Sequence, residues 1–183
     1  MRGSGGGVEF VSTNDLVFSG FAKAVDARVA FMPIGWRGKL SLCADTDAGN
    51  YEGCLVFTPP DYESAVDVRK TLNSGPGTGT GPTFVRGGGG DGAKPPGALP
   101  GTTTTMCCRL AMVTSWAFAW FDEVALEGCE HVLHVPHCDT AMVPFEFAVL
   151  YAPRKGQRAL ATMTRACGSE RLAAELPLGA VVA

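Results

Sequence analysis

The chain has 183 residues, 46% of them hydrophobic and only 18% charged, with a formal net charge of −3. That length supports one domain with a real hydrophobic core, and the weak negative charge excludes binding to nucleic acid through a global electrostatic field. A surface so poor in charge suits a protein that buries much of its outside against neighbours.

Residues 1–7 are Gly-rich and read as a flexible N-terminal arm, followed by a single domain over residues 8–183. The arm has no apolar h-region, so no signal peptide is expected. Arg2 is the only basic residue among the first 22, too few for an arm that neutralises phosphates. Short apolar stretches follow at 8–11, 16–21, 27–32 and 39–43. In the last, Leu40 and Leu42 alternate with Lys39 and Ser41, the period of a half-buried strand. Residues 45–53 carry turn chemistry. Cys54, Leu55, Val56 and Phe57 then form a continuous apolar run closed by Pro59 and Pro60, which reads as a core strand stopped by residues that cannot extend a ladder.

The spacing predicts a helix over residues 61–72. Asp61 is placed as its N-cap and Glu63 near the positive end of its dipole. Tyr62, Ala65, Val66 and Leu72 fall near one face, Arg69 and Lys70 sit towards the C-terminal end, and Asn73 and Gly75 supply the stop. Residues 74–105 are Gly- and Pro-rich and read as an irregular surface insertion, because they offer too little apolar surface to offset their ordering entropy. Order is expected to resume at Met106. Apolar or alternating runs follow at 111–122, 131–135, 145–151 and 159–167, and residues 172–176 are compatible with a short helix by propensity. The sum is about eight short strands and one early helix. The fold expected is an all-β, eight-stranded antiparallel sandwich with Trp36, Leu40, Leu42, Leu55, Phe57, Phe118, Trp120, Val132, Leu133, Phe147 and Val149 in or near its core.

The seven Cys are odd in number and follow no signal sequence, which favours a reducing compartment and free thiols packed as small hydrophobes. No apolar run approaches the length of a membrane span, so no membrane insertion is expected. The sharpest local cluster is Cys129, His131, His134, His137 and Cys138, which holds all three His of the chain. Zinc asks for four such ligands in a tetrahedron. On an extended strand Cys129 and His131 share one face while His134 points to the other, so the cluster reads as structural and a metal-binding interaction module stands as an alternative. The Gly-rich loop is not a Walker loop, because Lys94 is followed by Pro95 and Pro96 where a helix would have to start. The pairs Asp45/Asp47 and Asp122/Glu123 are not placed as acid–base partners, the first because it lies in turn-like sequence. Ser115 and Ser169 lack a G-x-S-x-G context. Cys138 beside His137 points away from it on an extended chain. No catalytic residue and no cofactor site is expected.

Three segments in order resemble the capsid proteins of picornaviruses and their plant and insect relatives. Trp36-Arg37-Gly38-Lys39-Leu40 is similar to a W-R-G-x-L strand of that family. Gly53-Cys54-Leu55-Val56-Phe57-Thr58-Pro59-Pro60 is similar to its strand ending in Pro-Pro. Residues 117–126 followed by 129–137 resemble its W-D-x-x-L strand and the strand after it, with His137 where the family has an aromatic residue. The resemblance implies a jelly roll of two packed sheets, with the Gly-rich segment lengthening a connection that is shorter in the family. It implies a structural subunit of an icosahedral shell, assembling in the host cytoplasm with copies or sister subunits into a virion. Weak contact with packaged RNA and an unidentified host receptor would follow. A second reading is a dUTPase-like β fold, since Asp47 to Gly53 resembles an Asp-x-x-Tyr-x-Gly stretch. The Arg- and Gly-rich tail of that family is absent here.

Overall fold

The computed structural model describes residues 8–35, 46, 52–73, 83–84, 109–117, 127–130, 132–137, 145–164 and 166–176. They form one mixed sheet with helices on one face. In chain order the elements are α1 (Thr13–Ala24), β1 (Val29–Gly35), β2 (Glu52–Phe57), α2 (Pro59–Tyr62), α3 (Ala65–Asn73), β3 (Thr83–Phe84), β4 (Leu110–Trp116), β5 (Glu146–Tyr151), β6 (Ala159–Met163) and α4 (Ala166–Glu175). The sheet order is β3-β2-β1-β4-β5-β6. Five strands carry it, and β3 adds a two-residue edge.

The eight-stranded antiparallel jelly roll is therefore overturned. β1 pairs parallel with β4, Val29 opposite Leu110, and β4 pairs parallel with β5, Ala111 opposite Glu146. Only β1–β2, β2–β3 and β5–β6 are antiparallel. A parallel pair needs a crossover connection, and the first crossover here contains α2 and α3. Strands and helices thus share one core, the arrangement of an α/β domain.

α1 forms because residues 16–21 continue a helical repeat. Val17, Phe18, Phe21, Ala22 and Val25 recur at the spacing of one helical face, and all are buried. Ser12 caps the helix in a reciprocal box: its hydroxyl accepts from the Asp15 amide at 3.2 Å, and Asp15 accepts from the Ser12 amide at 2.8 Å. The C-terminal end closes in a Schellman arrangement. The Asp26 amide donates to the Lys23 carbonyl and the Ala27 amide to the Ala22 carbonyl, each at 2.9 Å, while Asp26 takes the left-handed φ of 50° that this cap requires.

The single helix expected over residues 61–72 is two helices. Thr58, not Asp61, caps the first. Pro59 and Pro60 occupy its opening positions, where a missing amide proton costs nothing. Asp61, at the third helical position, closes the box and accepts from the Thr58 amide at 2.8 Å. The chain then breaks at Glu63 and Ser64, and Ser64 starts α3 by accepting from the Asp67 amide at 3.2 Å. The closing helix read at residues 172–176 is present and starts earlier, at Ala166.

The core lies between the sheet and α1, which touches α2, α3, α4, β4 and β5. Ala30, Met32, Leu55, Phe57, Ala111, Val113, Ala148 and Leu150 face it from the strands, and the Phe18 ring packs tilted against Phe57 with centroids 4.6 Å apart. Alternation puts Val29, Phe31, Val56, Met112, Phe147 and Val149 on the opposite face. Val29, Val56 and Val149 are buried there as well. Val29 and Val149 lie on strands with a parallel neighbour, where apolar residues on both faces are expected. Of the expected core, Leu55, Phe57 and Val149 are buried and Phe147 is half-buried, whereas Val132 and Leu133 are exposed. Trp36, Leu40, Leu42, Phe118 and Trp120 lie outside the described residues, as do the N-terminal arm and nearly all of the Gly-rich insertion.

Candidate functional site

Residues 132–137, which include all but the first residue of the strand expected over 131–135 and stopped by Pro136, have no place in the sheet. They run as an irregular extended segment past the end of β5. The His134 amide donates to the Pro153 carbonyl at 3.0 Å, and the Arg154 Nε donates to the Val132 carbonyl at 2.9 Å. The His134 ring meets Tyr151 edge-on at 6.4 Å. Both sides of the segment face outward: Val132 is 66% exposed, Leu133 55% and Val135 58%. Trp116, the last residue of β4, is 38% exposed, and its register partner is Tyr151. Three large apolar side chains exposed within four residues, on a segment anchored by one main-chain bond and one bond from the Arg154 side chain, are unusual for a surface that meets only water.

The structure does not gather the Cys/His cluster into a site. Among the described residues no three His, Cys, Asp or Glu side chains converge on a point that could hold a metal ion. Cys129 is exposed and free, His137 is exposed and His134 is half-buried against Tyr151. His131 and Cys138 lie outside the described residues. The second described thiol, Cys54, is half-buried on β2, and burial, then the nearby Glu52 carboxylate, push its pKa up. A thiol held protonated in this way is a poor nucleophile. Asp45, Asp47, Asp122 and Glu123 are also outside the described residues, and Ser115 lies half-buried near the end of the β4–β5 ladder, opposite Leu150.

A second feature is a cleft of about 420 Å³ where the end of α1 meets α2, lined by Lys23, Asp26, Pro59, Pro60, Tyr62 and Glu63. Its charges are largely engaged elsewhere. Lys23 pairs with Glu175 at 2.9 Å and Asp26 pairs with Arg109. The Tyr62 hydroxyl donates to the Ala27 carbonyl, and Ser19 Oγ donates to the Tyr62 carbonyl at 2.8 Å. Burial, then the carboxylates of Asp26 and Asp61, push the Tyr62 pKa up to about 12. These bonds fasten α2 to α1 and leave the cleft few groups to offer a ligand.

The third feature went unread in the sequence. Asp15 has no exposed side-chain surface, and Arg69 binds its Oδ2 with Nε at 2.9 Å and Nη2 at 2.6 Å. Arg69 Nη2 also reaches Ser12 Oγ at 3.0 Å, and the guanidinium lies 4.8 Å from the centre of the Phe10 ring. One residue thus closes the cap of α1 and ties it to α3. The capping pattern Ser12-x-x-Asp15 signals the helix start, but nothing in the sequence announces Arg69 as its partner.

Taken together, the chain is an α/β protein with one mixed sheet, helices on one face, and an anchored apolar segment at its surface. It matches no family model, no curated protein and no solved structure. No helix among the described residues is long and apolar enough to cross a membrane.

Proposed function

We propose that the chain is a structural protein that works by associating with other protein subunits, through the surface that residues 132–135 present. The observation that supports this is the exposure of Val132, Leu133 and Val135 on a segment held in place by Pro153 and Arg154. An apolar run that was merely mobile would gain nothing from anchoring; a fixed one is pre-organised to bind, because its ordering cost is already met. The low content of charged residues points the same way. The icosahedral shell around RNA rested on the jelly roll. Self-assembly is the part of that expectation which does not depend on it. No catalytic role is assigned to any residue.

The test is light scattering coupled to gel filtration over a hundredfold range of concentration. The chain is expected to self-associate as concentration rises, and Leu133→Asp is expected to hold it as a monomer. Because Leu133 is already exposed, that substitution should leave the unfolding free energy within about 0.5 kcal/mol. A chain that stays monomeric throughout sinks the self-association reading.

A further inference from the structure

We draw no further inference here: the strongest candidate, the exposed apolar segment of Val132, Leu133 and Val135 beside the end of β5, belongs to the surface already described and nothing in the structure shows what covers it.

Discussion

Asp15 is a buried carboxylate whose companion, Arg69, arrives from a helix far along the chain. Removing one member of such a pair costs more than the pair contributes, because the other is left desolvated and alone. Arg69→Met keeps most of the stem and deletes the guanidinium. It is expected to lower stability by about 3 kcal/mol, read from the urea midpoint. A loss well under 1 kcal/mol would show that water reaches Asp15 in solution. Tyr62 gives a pH signature. Its folded pKa of about 12 lies above the ordinary phenol value of 10. Below pH 10 the hydroxyl is protonated in both states and its full contribution is present. As pH rises from 10 to 12 the unfolded chain releases the proton first, so the folded state loses about 2 to 3 kcal/mol of relative stability over that window. Tyr62→Phe is expected to be less stable at neutral pH by about 1 kcal/mol. It should also lack the decline that the parent shows between pH 10 and 12. Parallel pH curves for the two proteins would assign the shift elsewhere.

Helix α1 is the element on which the rest of this face is built. Gly20 lets α1 approach the end of α4 closely: a Cβ there would lie 2.4 Å from Leu176 Cδ2 and 2.8 Å from its Cγ. Gly20→Ala therefore pushes Leu176 out of its buried place and is expected to cost about 1 to 3 kcal/mol. Leu176→Ala alone should also destabilise, but in the double mutant the two losses should sum to less than their parts. Additive losses would mean that the clash is relieved by movement elsewhere. This element was legible in outline. Ser12 and Asp15 form a capping box, and positions 17, 18, 21, 22 and 25 repeat at the helical period. Read as a short apolar stretch, 16–21 is a plausible strand, because a run that short fits either period. The helix over 61–72 was visible from its composition. Its division was hidden in a second cap, Ser64, which looks like any other polar surface residue until the turn around it is known.

At the scale of the molecule, the strands at Leu55, Phe57 and Val149 were legible, yet their pairing was not. The continuous apolar stretches from Cys54 to Phe57 and from Phe147 to Leu150 are what strands buried on both faces look like; the second has a parallel neighbour in β4, whereas the first pairs only antiparallel, so the run alone does not report the direction of pairing. Pro33 sits inside β1 with strands on either side, where a residue without an amide proton is unusual. It is accommodated because β4 pairs with β1 only from Val29 to Phe31 and has parted from it by residue 33. Val132 and Leu133 misled for a related reason. Alternation reports a preference for an extended chain, and no sequence pattern reports whether a neighbouring strand is there to receive it.

The position of β4 divides the fold into halves that are each continuous in sequence. Within the sheet, β1 to β3 lie on one side of the β1–β4 seam and β4 to β6 on the other, while α1, from the first half, packs across it onto β4, β5 and α4. The seam is made of main-chain bonds such as Arg28 to the Arg109 carbonyl at 2.8 Å, the Asp26–Arg109 ion pair, and the packing of α1 on β4, β5 and α4. Each of these contacts is made by residues outside 85–108. A chain severed there is expected to behave as two complementing fragments: each unfolded alone, and together recovering the far-ultraviolet circular dichroism of the intact protein. Recovery should be lost when Ala111, buried on β4 opposite Ala30, is changed to Asp in the second fragment. Fragments that fold independently would show instead that the two halves are separate bodies that happen to touch.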